Sequence, residues 1–230
     1  MNKRGFTLIE MVVVLAVVAI LAAILTPEIA KHIKDSKITR AVNEEQVITA
    51  AIMMLNKDTG KWPRTNANGP AGSFNRLLSG MPGNPVPTGV QAGARSGASN
   101  WGTGSSKYLR DFLFYNNPDD EQGPVGQNQS GQDYPISGQF AWRGPYLDKE
   151  GFVDPWGNQY VISARYFPGS PSANHHRAII LSAGSDGLWS TAYSDTTTRL
   201  TTPSDDTYGP YINDGTRIHD DIGKTITTNN

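Results

Sequence analysis

The chain has no cysteine. Disulfides, thiolate nucleophiles and Cys-based zinc sites are therefore excluded, and any long loop must be pinned by something else. There is no excess of one charge either. Twenty Lys and Arg face 21 Asp and Glu, for a formal net charge of −1, so no basic field points to nucleic acid as a partner. No G-x-S-x-G elbow, phosphate loop or dinucleotide fingerprint occurs, and no internal repeat. His175 and His176 are neighbours, but adjacent imidazoles seldom reach one ion, and they read as a solvated hairpin tip. His32 and His219 stand alone. The chain is expected not to be an enzyme.

Glycine and proline are plentiful, at 24 and 15, which predicts many turns and long loops. Apolar residues are concentrated at one end. From Met11 to Leu25 every residue is apolar (MVVVLAVVAILAAIL), and the remainder is polar. Three readings compete for residues 1–30. A secretory signal peptide would use Lys3 and Arg4 as its basic region, but Ala22 to Pro27 offers only a loose cleavage site. A plain anchor is the second reading. Phe6 to Leu25 makes about 30 Å of helix, enough to cross the hydrocarbon core, with Lys3 and Arg4 on the cytoplasmic side.

Neither reading explains Glu10, which sits inside the apolar segment. A lone carboxylate there costs at least ~2.5 kcal/mol and is usually functional. Nothing basic lies one helical turn away within the segment, so a positive group on another chain is the nearest partner. The third reading supplies one. Lys3-Arg4-Gly5-Phe6-Thr7-Leu8-Ile9-Glu10 resembles the processing signal of type IV pilins and pseudopilins. The resemblance implies that a prepilin peptidase removes residues 1–5 by cutting after Gly5, that Phe6 becomes the methylated N-terminus, and that Glu10 is needed for assembly. It also gives Pro27 the place of that family's helix proline.

The helix should run over 6–60, with a membrane and assembly segment at about 6–26. Pro27 should kink or locally melt it. Ile38, Ala41, Glu45, Ile48, Ile52 and Leu55 then recur at three- and four-residue steps as a stripe that packs on a body, Glu45 being its one polar member. Lys31, Lys34, Asp35, Lys37, Arg40 and Glu44 read as a solvated or intersubunit face. Gly60 and Pro63 mark the end. Such a helix, about 80 Å if straight, finds its burial against copies of itself, in a contact that does not close and so makes a filament. The body would be 61–230. Within it, 64–139 reads as an insertion, with Asn66 to Ser73 and Gly80 to Ser106 as surface loops. Lys107 to Tyr115 reads as a short apolar element, helix or strand. Gln159 to Phe167 and Arg177 to Ala183 read as strands joined through Pro168 to His176. Trp142 to Gly157 is a turn segment whose rings should cap a small sheet.

A second resemblance lies here. Gly144-Pro145-Tyr146-Leu147, Asp154-Pro155-Trp156-Gly157-Asn158-Gln159-Tyr160, Ser182-Ala183-Gly184-Ser185-Asp186-Gly187 and Asp220-Asp221-Ile222-Gly223 look like the successive elements of the major pseudopilin of type II secretion. The resemblance implies an α+β fold, a long N-terminal helix packed on a small antiparallel sheet with long loops. It also implies a structural calcium ion in the region of about 182–225, with Asp186 and Asp221 as candidate ligands and Asp220 as the runner-up. Calcium wants six to eight oxygens, which carboxylates and loop carbonyls supply. The loop from Leu188 to His219 is longer than that family's. It carries Asp195, Asp205, Asp206 and Asp214 as further donors.

The implied function is a subunit of a periplasmic pseudopilus. The chain would be held in the inner membrane with its body in the periplasm, then assembled into a homo-oligomeric helical filament with minor pseudopilins and an inner-membrane platform. Two alternatives stand beside it. One is a type IV pilin forming a surface pilus. The other is a membrane-anchored carbohydrate- or ligand-binding module that uses the aromatic, Gly-rich insertion.

Overall fold

The computed structural model describes residues 6–66, 69–70, 74–92, 97–118, 134–169, 177–191, 193 and 221–228. One helix, α1, spans Leu8–Thr59. It starts on a capping box. Thr7 is the N-cap, its hydroxyl oxygen accepts the Glu10 N–H at 3.4 Å, and Glu10 Oε2 accepts the Thr7 backbone N–H at 2.7 Å. It ends on Gly60, whose φ of 68° reverses the chain while its N–H bonds the Asn56 carbonyl. The expected local melting at Pro27 does not occur, and α1 is helical through it. The proline removes one N–H, while next to it the Thr26 hydroxyl donates to the Ala22 carbonyl at 2.7 Å.

The chain divides into two compact units at Thr39/Arg40. In the first unit, residues 8–36 of the helix are all exposed, as are Phe6 and Thr7 before it. The second unit is α+β, and residues 40–59 of α1 belong to it. The stripe read from the sequence is its helical face. Ala41, Glu45, Ile48, Ile52 and Leu55 are buried, while Ile38, in the first unit, is half-buried. Full burial of Ile48, Ile52 and Leu55 contributes about 1.5–3 kcal/mol each.

The remaining elements are short. They are β1 (Thr65–Asn66), β2 (Gly69–Pro70), β3 (Arg76–Leu78), β4 (Gly89–Val90), a 3-10 turn at Ala98–Trp101, β5 (Ser106–Tyr108), α2 (Leu109–Leu113), β6 (Val161–Ile162), a second 3-10 turn at Ala164–Tyr166, β7 (Arg177–Ser182), β8 (Leu188–Trp189) and β9 (Ile222–Thr228). Five of them form a mixed sheet in the order β5-β3-β6-β7-β9. Only β3 and β5 pair in parallel, and the other three pairings are antiparallel. β4 and β8 form a separate parallel pair, as β1 and β2 form an antiparallel one.

Two expectations are corrected. Within the expected insertion 64–139, the described residues 74–92 and 97–118 are part of the body rather than loops on its surface. They supply β3 and β5 to the main sheet and bury Leu77, Leu78, Trp101, Leu109, Phe112 and Leu113. Lys107 to Tyr115 is accordingly both strand and helix. The strand expected over 159–167 is only β6. It stops at Ser163 because that side chain takes over the ladder: Ser163 Oγ accepts the Ile179 N–H at 2.9 Å, and the chain turns away into the second 3-10 turn.

Candidate assembly segment and cation loop

The N-terminal segment is an apolar cylinder with one acid on it. Phe6 is 82% exposed, and the apolar side chains from Leu8 to Ile33 lie open along the helix. Length and composition make α1 able to cross a membrane. So large an exposed apolar surface marks a lipid-facing or partner-facing element. Glu10 is exposed as well. Its Oε2 accepts two bonds from Thr7, from the backbone N–H and from the hydroxyl, each at 2.7 Å. The sequence reading missed this local partner, although Thr7-Leu8-Ile9-Glu10 has the T-x-x-E spacing of a capping box. Gly5 lies outside the described residues.

Glu44 belongs to the body, which corrects its place on a solvated face. It is half-buried, accepts the Tyr160 hydroxyl at 2.7 Å and pairs with Arg40 at 3.0 Å. Further along, Asp58 accepts the Tyr146 hydroxyl at 3.0 Å. Tyr146 belongs to the Gly144–Leu147 motif and Tyr160 ends the Asp154–Tyr160 motif, so both motifs bind the helix. Burial, ahead of the nearby Asp58 carboxylate, pushes the Tyr146 phenol up to about 12. Glu45 is the most deeply buried carboxylate of α1, at 1% exposure. Its Oε1 has no hydrogen-bond partner among the described residues. Burial holds its carboxyl well above the usual range. Lys224 and the Ser182 amide pull the other way, and Asp154 adds repulsion.

The Asp154–Tyr160 turn is structural. Asp154 Oδ1 accepts the Trp156 and Asn158 amides at 3.0 and 2.8 Å, and Oδ2 accepts the Ser182 hydroxyl at 2.7 Å. Gly157, at φ 95°, supplies the left-handed turn position.

The candidate cation ligands divide. Asp186 is exposed, and its Oδ1 caps its own turn by accepting the Leu188 amide at 2.7 Å. Asp221 is 9% exposed, and Oδ2 accepts the Ser190 and Thr191 amides at 2.9 and 2.7 Å. Its Oδ1 is buried with no hydrogen-bond partner of good geometry among the described residues. Burial raises the Asp221 carboxyl against the pull of the Thr191 and Ser190 hydroxyls and amides. Asp220, Asp195, Asp205, Asp206 and Asp214 lie outside the described residues, as do His175, His176 and His219. Among the described residues no three His, Asp or Glu side chains gather as a metal cluster. The donor chemistry at Asp221 is of the kind a hard cation takes, a carboxylate beside the Ser190 and Thr191 hydroxyls that also bond to it.

Trp101, Trp142 and Trp189 are buried and their indole N–H groups are spent on the Thr191, Phe112 and Pro87 carbonyls. None of the three offers a face for stacking on a sugar.

Two segments of the chain match known families. Residues 1–26 match the prokaryotic N-terminal methylation motif, and residues 114–199 match the type II secretion system protein G family. The type II secretion system core protein G of Pseudomonas aeruginosa is 35% identical over 86 residues, 37% of this chain and 57% of that protein. Fimbrial protein EcpC of Eikenella corrodens is 37% identical over 65 residues, 28% of this chain and 42% of that protein. The type IV major fimbrial protein FimA of Dichelobacter nodosus is 35% identical over 78 residues, 31% of this chain and 49% of that protein. The chain thus spans about half the length of the curated relatives it matches. No solved structure matches it.

Proposed function

We infer, from the matches of residues 1–26 to the prokaryotic N-terminal methylation motif and of residues 114–199 to the type II secretion protein G family, a non-catalytic structural subunit of a pseudopilus that drives or scaffolds protein export. A prepilin peptidase cuts after Gly5, and Phe6 becomes the methylated N-terminus. The subunit waits in the inner membrane with its body in the periplasm, then joins a helical filament of its own copies. Minor pseudopilins and an inner-membrane platform assist.

The observation that carries this reading is the exposed apolar helix with Glu10 as its one acid near the start. In lipid or in a bundle of such helices, a carboxylate is tolerated when a cation meets it. The α-amine of a neighbouring Phe6 is such a cation, and the pairing would set the stagger between subunits. Glu10→Val should still insert in the membrane yet form no filaments, scored by fractionation and electron microscopy. Normal filaments from this variant would remove the pairing role.

Calcium belongs to the same reading. Asp221, through its buried Oδ1, and Asp186 are the candidate ligands, Asp220 is the alternate, and loop carbonyls complete the shell. The ion would supply a cross-link between the loop after β8 and the start of β9, in a chain without cysteine. The fimbrial relatives favour one second reading, a type IV pilin of a surface pilus. Long extracellular fibres built of this subunit would establish that reading in place of the first.

A further inference from the structure

Residues 74–104 have no part in the function just given, yet one of their side chains reaches the cation loop. Thr191 faces two ways. Its N–H donates to Asp221 Oδ2 at 2.7 Å, and its carbonyl accepts the Trp101 Nε1–H at 3.1 Å. Trp101 is fully buried. Its ring lies 5.9 Å from Trp189 and meets Tyr193 edge-on at 4.9 Å. Its own carbonyl accepts Arg76 Nη1 at 2.7 Å, and Arg76 Nη2 donates to the Gly104 carbonyl at 2.7 Å. The indole is thus fixed from β3, on the main sheet, and it in turn fixes Thr191.

We propose that Trp101 is a positioning residue for a divalent cation at Asp221. By holding the Thr191 carbonyl it keeps the Ser190 and Thr191 amides on Oδ2, which leaves Oδ1 for the ion. The proposal rests on the calcium reading above. Its physical basis is preorganisation: a ligand carboxylate already oriented by outer hydrogen bonds loses less freedom when the ion arrives. It also assigns residues 74–104 a task, that of clasping the C-terminal loop from the sheet side.

Calcium chloride is titrated into the full chain in detergent micelles and followed by calorimetry. Trp101→Phe keeps one aromatic ring and deletes the pyrrole half of the indole with its donor. Its calcium affinity should fall about three- to tenfold, the effect of one neutral hydrogen bond. Trp142→Phe deletes a bond of the same kind, to the Phe112 carbonyl at 2.9 Å, and should stay within about twofold of the parent, since that bond does not touch the loop. Equal affinity of Trp101→Phe and parent, or equal weakening in both variants, would overturn the clasp and leave the calcium reading standing. A parent chain that binds no calcium would overturn both. Should Trp101→Phe fail to fold, the parent decides through its indole nitrogen resonances. Calcium should shift the Trp101 signal and slow its hydrogen exchange, and a Trp101 signal unmoved at saturation sinks the proposal.

Discussion

Replacing Glu45 by glutamine should make the body more stable at neutral pH and leave it unchanged in acid. Glu45 is buried between α1 and the sheet with Oε1 unpartnered among the described residues. Its attraction to Lys224 and its bond from the Ser182 amide do not cancel the loss of water, so its carboxyl is raised above its ordinary 4.5. For an acid raised on folding, the native state is favoured fully below the unfolded value, and that advantage drains away as pH climbs towards the folded value. Over that window the parent loses about 1.4 kcal/mol of stability per pH unit. At pH 7 the loss has a ceiling of about 3.4 kcal/mol, because an acid still protonated at pH 7 has only the interval from about 4.5 to 7 to account for. The amide of Glu45→Gln keeps the shape and cannot ionise, but gives up the charge-assisted bond from Ser182. A net gain of about 1–3 kcal/mol at pH 7 is expected. Urea unfolding of the full chain in micelles, followed by tryptophan fluorescence from pH 4 to 8, measures it. Burial raises Asp154 and Asp221 in the same direction, so the difference between variant and parent is the quantity to plot. A variant less stable than the parent at pH 7, or a gain of equal size at pH 4 and pH 7, would refute the argument.

Two further outcomes can be checked. Gly5→Leu should block processing, so that the chain stays at precursor size on a gel beside a shortened parent. Chelation should lower the melting temperature of the calcium-loaded protein by roughly 5–10 °C, the expected effect of losing a ligand held at about a hundred times its dissociation constant. No shift, together with no metal by elemental analysis, would remove calcium from the account.

The helix was legible in the sequence because its signals are local and repeated. The three- and four-residue stripe gave Ala41, Ile48, Ile52 and Leu55 as the packed face, and Gly60 marked its end. The turn at Asp154 to Gly157 was legible for the same reason. The sheet was harder. β3 is three residues and β6 two, too short for alternation to register, and what makes them strands is pairing with β5 and β7, far away in sequence. Residues 80–106 looked like a surface loop because they are rich in Gly, Pro and Ser, yet Ala98 and above all Trp101 lie in the core. Glu44 looked solvated because nothing near it in sequence announces Tyr160.

Glu10 poses the last question, because the structure gives it a task the assembly reading does not need. As the N3 residue of a capping box it satisfies the Thr7 N–H, an otherwise unpaired donor of the first helical turn, and the box survives removal of residues 1–5 because Phe6 and Thr7 remain. Both bonds fall on Oε2, which leaves Oε1 to meet a neighbour's amine. One carboxylate can therefore cap its own helix and pair with the next subunit together. The two roles separate in Glu10→Gln. Glutamine serves a capping box as glutamate does, but it brings no charge to an α-amine in a low-dielectric bundle, where an unpaired ammonium is costly. If the ion pair drives assembly, Glu10→Gln should fail as completely as Glu10→Val when filaments are counted in micrographs. Filaments from the Gln variant and none from the Val variant would mean that the cap, not the charge, is what assembly requires.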